Sequence, residues 1–298
     1  MPALLEWGVD IVRLAQSFAS PALTLFMRLV TFLGSQWFYL IAMPFIYWCV
    51  DRRRGARLGI LIFGSIFLNL WLKGVFLQPR PYDLDPSVGM VNETSPGLPS
   101  GHAQGTGVFW GVVAPLFTRS WGLFLALGIP LIVGISRIYL GVHFPSDVFA
   151  GWGLALVIVL SERYFWDRLA RFFQRVNIRI RVASVAAVAF IMNALLMPDT
   201  SVAGAFFGAG IGFAFVSQFA PFDVKGTYGE RLGRYVFGIA GAALLYLFPK
   251  YLFKAEGSEF EALVLFIRYA LIGGWISLGA PWCFLKFKLA NRDTESLG

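Results

Sequence analysis

The chain has 298 residues, 57% of them hydrophobic and 14% charged, against about 25% charged in a typical soluble domain. That much apolar surface excludes an ordinary water-soluble globule and calls for a bilayer as its solvent. The net charge of +8 does not point to nucleic acid, because basic residues of membrane proteins collect in cytoplasmic loops. Cys49 and Cys283 both lie in apolar stretches and imply no disulfide framework.

From the N-terminus, Met1 to Phe18 lacks the basic start and long apolar core of a signal peptide. Leu4, Leu5, Val9, Ile11, Val12 and Leu14 recur at roughly helical spacing. Residues 1–29 are therefore expected to form an amphipathic interfacial segment. A helix needs about 20 apolar residues to cross the hydrocarbon core, and nine such spans are expected. The first five run near Val30–Val50, Arg57–Leu77, Gly101–Phe117, Trp121–Leu140 and Ser146–Phe165. Four more follow near Val182–Met197, Ala203–Phe219, Arg234–Tyr251 and Leu263–Leu285.

The charges provide an independent count. The arginines of Asp51–Arg57, then Arg119, then the run Arg163, Arg168, Arg171, Arg175, Arg179 and Arg181 alternate with these spans. Lys225, Arg231, Arg234, Lys286, Lys288 and Arg292 continue the pattern. Nine crossings put all of them on one side, which the positive-inside rule makes cytoplasmic. The basic stretch 166–181 then reads as a cytoplasmic linker between a core over 30–165 and a second helical region over 182–298. In the latter, Ala203–Gly212 (AGAFFGAGIG) offers small residues for close helix packing. The fold class expected is all-α and polytopic, with a catalytic bundle followed by about four further transmembrane helices.

The polar residues gather at the outer ends of spans two to five. Lys73 sits inside the apolar run LNLWLKGVFLQ, where a lysine at membrane depth needs a cavity or a partner. Arg80 follows seven residues later between Pro79 and Pro81. The prolines predict that the helix ends near Arg80, and two cations at one helix end make an anion site. In Pro99-Ser100-Gly101-His102, Ser100 suits an N-cap, Gly101 lets a ligand approach the backbone, and free helix amides bind phosphate. Arg137, His143 and Asp147 share the segment SRIYLGVHFPSD. Asp147, in the first turn of a helix, can reach back to one imidazole nitrogen of His143 and leave the other free to attack. The chain's two histidines, His102 and His143, fall at the same expected membrane face. Taken singly, each residue has an ordinary explanation: a snorkelling arginine, an interfacial histidine, a helix-start aspartate. Three cations, two histidines, a serine and an aspartate at one level of one face do not.

These residues stand as KGVFLQPRP (Lys73–Pro81), PSGH (Pro99–His102) and SRIYLGVHFPSD (Ser136–Asp147). They resemble the three motifs K-x6-RP, PSGH and SR-x5-H-x3-D of the type 2 phosphatidic acid phosphatase (PAP2) superfamily. The resemblance covers spans two to five and departs from the pattern at no fixed position. It implies that Lys73, Arg80, Arg137, Ser100 and Gly101 hold the phosphoryl oxygens and that His143 attacks phosphorus to form a phosphohistidine. Asp147 would orient His143, and His102 would act as general acid and then base. It implies no metal and no cofactor, since fixed cations neutralise the developing charge. The expected substrate is a membrane lipid or polyprenyl phosphate or pyrophosphate, cleaved at the non-cytoplasmic face. That face is the periplasm for a bacterial inner-membrane protein and the lumen for a protein of the endoplasmic reticulum.

The nine-span layout is also similar to glucose-6-phosphatase and sphingosine-1-phosphate phosphatase, so a sugar phosphatase is the alternative. A lipid transporter or flippase is the alternative of another class, and a phosphotransferase would use the same intermediate. The loop Tyr82–Leu98 carries Asp83, Asp85 and Glu93, acids that discourage a second anion and suggest where substrate choice is made. Substrate, oligomeric state and the role of the last four spans stay open at this level, homo-oligomer formation included.

Overall fold

The computed structural model describes residues 2–252 and 260–293. Helices follow one another as α1 (Pro2–Gln16), α2 (Pro21–Thr31), α3 (Gln36–Phe45), α4 (Arg52–Phe76), α5 (Pro81–Leu84), α6 (Gly101–Val113) and α7 (Arg119–Tyr139). They continue as α8 (Pro145–Arg175), α9 (Ile178–Leu196), α10 (Ser201–Phe219), α11 (Tyr228–Leu252), α12 (Glu261–Gly274) and α13 (Ala280–Lys286). The fold is all-α. The expected C-terminal region reaches into 294–298, which lie outside the described residues.

Helices stand at each of the nine expected places. Among the described residues, six are long and apolar enough to cross a membrane: Arg52–Leu84, Arg119–Tyr139, Pro145–Arg175, Ile178–Leu196, Ser201–Phe219 and Glu261–Lys286. The nine-span count is thus larger than length and composition support. The apolar helix Gln36–Val50 is shorter. Helix α6 has 13 residues, about 20 Å at 1.5 Å per residue, and most of its side chains are buried among protein neighbours. The N-terminal segment is two helices rather than one, bent by 119° between Leu4–Gln16 and Pro21–Gly34, and the pair would make a seventh span if counted as one. Ser20 Oγ caps α2 by accepting the Leu23 amide, which lets the chain turn there.

Long rows of large apolar side chains face outward, including Leu123, Phe124, Leu127 and Leu131 on α7 and Phe149, Leu156 and Leu160 on α8. In water such rows would be a severe liability; in lipid they are the proper outer surface. The protein is an integral membrane protein.

The chain divides into two compact units, 1–39 with 64–166 and 40–63 with 167–298. In the first, α7 packs against α1, α2 and α6. Glycines bring α8 close to its neighbours. A Cβ on Gly134 would lie 2.4 Å from the Trp152 ring, and one on Gly151 would lie 2.6 Å from the Ser100 carbonyl oxygen. Between α7 and α8, Gly141 takes φ +73°, and a Cβ there would lie 1.8 Å from the Val88 carbonyl oxygen. Glycine adopts that backbone at no steric cost, and only a residue without a Cβ tolerates that approach.

In the second unit the small residues of α10 do what their composition suggests. Gly204 and Gly208 abut the Phe266 and Ala270 carbonyls of α12. The core of this unit gathers Tyr47, Trp48, Val216, Phe222 and Phe284. Tyr47 donates to the Ser277 carbonyl at 2.8 Å and Trp48 to Ile276 at 2.9 Å, so neither buried polar tip is left unsatisfied.

Candidate active site

Every site residue read from the sequence lies in the first unit, at helix ends or in the links between them. Helix α4 stops at Phe76, earlier than Pro79 and Pro81 suggest. Leu77 enters the left-handed region at φ 47° and its amide closes the last turn on the Lys73 carbonyl at 3.0 Å, a C-terminal cap of the αL kind. Lys73 and Arg80 therefore do not share one continuous helix face. They meet instead on the loop before α6. Lys73 Nζ donates to the Pro96 and Gly97 carbonyls. Arg80 donates through Nε to the Ser95 carbonyl at 2.7 Å and through Nη2 to Ser95 Oγ at 3.1 Å.

Ser100 is the N-cap of α6, its hydroxyl accepting the Ala103 amide. Its own amide donates to the Asp147 carbonyl oxygen at 2.9 Å. Gly101 opens the helix with Asn69 beside it, 3.1 Å from where a Cβ would stand. His102 follows against Gly34, where a Cβ would come within 2.8 Å of the imidazole Cδ2.

His143 sits in the link between α7 and α8. Its Nδ1 lies 3.1 Å from Asp147 Oδ2. That carboxylate also accepts the Phe144 amide at 3.0 Å and, on Oδ1, the Gln78 side-chain amide at 2.6 Å. Two amides, of Phe144 and Gln78, donate to this carboxylate; with the carboxylate as acceptor toward the ring as well, Nδ1 carries the proton and the lone pair stays on Nε2. Nε2 is 3.4 Å from Arg80 Nη1, which also donates to the Val142 carbonyl at 2.8 Å. A phosphorus in front of Nε2 would thus have a guanidinium beside it.

Lys73, Arg80 and Arg137 are 5%, 3% and 2% exposed, and His143 is 2% exposed. Burial pushes the His143 pKa well below the usual 6.5, and the positive charges of Arg137, Arg80 and Lys73 push it the same way. The imidazole is held neutral, the form that can attack.

Three features escape sequence reading. Gln78 precedes the Pro79-Arg80-Pro81 turn, and only the fold brings it to Asp147. Ser65, Asn69 and Lys73 lie four residues apart on one face of α4, but the spacing does not say which helix they face. Asn69 donates to Gln104 Oε1 at 2.8 Å, and Gln104 donates to Ser65 Oγ at 2.9 Å, so a buried polar ladder ties α4 to α6. The third is the pairing of Glu93, read from the sequence only as a loop acid, with Arg137: its Oε1 forms an ion pair with Arg137 Nη2. Of the other acids in that loop, Asp83 caps the Arg80 amide at 2.7 Å and Asp85 pairs with Arg13 at 2.8 Å.

A buried imidazole beside three buried cations, carried by membrane helices, is an arrangement that can take a phosphoryl group next to a histidine. Residues 54–171 match the PAP2 superfamily profile, and residues 200–292 match the PAP2 superfamily phosphatase, transmembrane extension. Over these residues the chain belongs to the PAP2 superfamily. It is 33% identical over 126 residues to phosphatidylglycerophosphatase B of Bacillus subtilis (39% of this chain, 60% of that one). It is 28% identical over 172 residues to a probable sphingosine-1-phosphate phosphatase of Dictyostelium discoideum (53% and 42%). To glucose-6-phosphatase catalytic subunit 1 of Haplochromis nubilus it is 31% identical over 203 residues (56% and 56%). The chain spans about half the length of these curated relatives.

Proposed function

We propose that the protein is a membrane phosphatase that hydrolyses a lipid or polyprenyl phosphate or pyrophosphate at the non-cytoplasmic face. The observation that carries this reading is the His143–Asp147 pair with its free Nε2 beside Arg80. Nε2 attacks phosphorus in line, a P–N bond forms, and the bond from phosphorus to the leaving oxygen breaks. His102 gives that oxygen a proton. Water then attacks the phosphohistidine while His102, now neutral, takes a proton from that water, the P–N bond breaks, and orthophosphate leaves. Lys73, Arg80 and Arg137, with Ser100 and the Gly101 amide, hold the phosphoryl oxygens as negative charge builds. Asp147 stabilises the positive imidazole that attack creates. Family membership over 54–171 supports this chemistry.

A lipid substrate is supported by the site's place at the ends of membrane helices, where an acyl or prenyl tail can stay in the bilayer. It is supported too by two of the relatives, whose names carry lipid phosphates. The side rests on the nine-crossing reading, which gathers the basic loops on one face, and on the positive-inside rule, which assigns that face to the cytoplasm. The glucose-6-phosphatase relative favours a second reading, a sugar phosphatase.

The test is phosphate release by the purified protein in chelator, across lipid, prenyl and sugar phosphates, beside His143→Ala. Release from lipid or prenyl substrates that disappears in the variant is the expected result. Release confined to glucose 6-phosphate favours the sugar phosphatase, and activity surviving His143→Ala removes the phosphohistidine mechanism.

A further inference from the structure

The three buried cations do not hold their partners in the same way. Lys73 and Arg80 donate to backbone carbonyls and one hydroxyl, acceptors that carry no charge. Arg137 holds a carboxylate. Its Nη1 donates to Thr31 Oγ1 at 3.0 Å, its Nη2 pairs with Glu93, and its buried Nε has no partner among the described residues. A buried donor without an acceptor is costly, and an anion oxygen arriving there would relieve it.

Glu93 comes from the less buried side: its side chain is 31% exposed, against 3% for that of Arg137. Its backbone is clamped independently of that pair. The Tyr82 hydroxyl donates to the Glu93 carbonyl at 2.7 Å and accepts the Glu93 amide at 3.2 Å. The side chain can swing outward while the loop keeps its path.

We propose that Glu93 is a built-in competitor for the phosphate seat on Arg137. It occupies the seat in the free protein, swings aside when a phosphoryl group binds, and returns to expel orthophosphate after hydrolysis. This rests on the reading above that Arg137 binds the phosphoryl oxygens. The carboxylate offsets part of the positive charge that Arg137 brings to the site. The consequence is a fixed tax on affinity: a ligand that needs the seat free binds more weakly by the fraction of time the seat is open. The tax falls on substrate and product alike. Weak anions stay out, and orthophosphate, which has no tail in the bilayer to hold it, leaves quickly.

The experiment measures orthophosphate binding to the full chain in detergent by thermal shift and by competition with vanadate, comparing wild type with Glu93→Gln and Glu93→Asp. Removing a charge-assisted contact to a buried guanidinium should tighten orthophosphate binding about tenfold in Glu93→Gln. Glu93→Asp keeps the charge but shortens the reach by one methylene, so it should tighten binding as well. Without phosphate both variants should melt below wild type, and added phosphate should stabilise them more than it does wild type. Unchanged or weaker orthophosphate binding in Glu93→Gln overturns the proposal and makes Glu93 a support for Arg137. Tighter binding in Glu93→Gln with wild-type binding in Glu93→Asp also overturns it, because a diffuse field and not occupancy would be at work. No orthophosphate effect on any of the three proteins overturns the anion seat itself. Tightening in a protein that hydrolyses no phosphate ester leaves the competitor standing and removes the phosphatase reading.

Discussion

Gln78 donates to the same carboxylate that fixes His143, so its effect should be felt at the nucleophile and not in binding. Gln78→Leu should lower kcat about tenfold, the cost of one buried hydrogen bond to a charged group, with KM little changed. Steady-state kinetics on the preferred substrate check this. The same experiment reads the charge state of His143. A pKa pushed down by burial and three cations means the proton binds only at lower pH than usual, so the imidazole is still neutral at pH 6.5. The acid limb of kcat/KM, which reports the free protein, should therefore lie below pH 6.5 once substrate ionisation is allowed for. A limb centred at 6.5 would mean that His143 is solvated. At this scale the sequence was informative wherever partners are close along the chain: Ser100 capping its own helix, and Asp147 one turn beyond His143. Gln78 with Asp147 and Glu93 with Arg137 are separated by 69 and 44 positions. Nothing local encodes such pairs; only the packing of helices does.

Among the elements, α8 bears most on the site. Its first turn supplies Asp147, and Gly151 one turn on lies against the α6 N-terminus. Gly151→Ala would bring a methyl to 2.6 Å from the Ser100 carbonyl oxygen, a backbone atom that cannot rotate away. The two helices must separate, at a cost of about 1–3 kcal/mol. The expected outcome is a lower melting temperature together with a loss of activity larger than the loss of folded protein. Gly153→Ala, where a Cβ meets nothing within 4 Å, is the control and should change neither. Element ends were less legible than element existence. The prolines after α4 marked its stop to within a turn, but the left-handed residue that ends it is Leu77 and not a glycine, so no residue type announced the place.

For the molecule as a whole, the distribution of basic residues and the apolar rows on α7 and α8 agree on a membrane protein. The positive-inside argument adds a direction. Ser87→Cys, in the exposed link after α5, should react with an impermeant maleimide added outside intact cells. Arg171→Cys, on the basic end of α8, should react only after permeabilisation. The reverse pattern would turn the site toward the cytoplasm. The span count is the reading that length and composition support least, because a helix of 13 residues surrounded by protein neighbours, such as α6, does not pass on those two properties. The boundary near 166 was legible in the basic run, but the clustering of residues 40–63 with 167–298 across a long stretch of sequence was not.

Asp147 joins two parts of the candidate site: its carbonyl oxygen accepts the Ser100 amide at the start of α6, and its carboxylate holds the His143 imidazole. Under the proposed mechanism, a tilt of α8 to match a thicker or thinner bilayer should carry nucleophile and phosphate seat together. Changes in lipid thickness should then alter how readily a substrate reaches the site and leave the bond-making step itself untouched, so the reaction runs at one gauge in membranes of different depth.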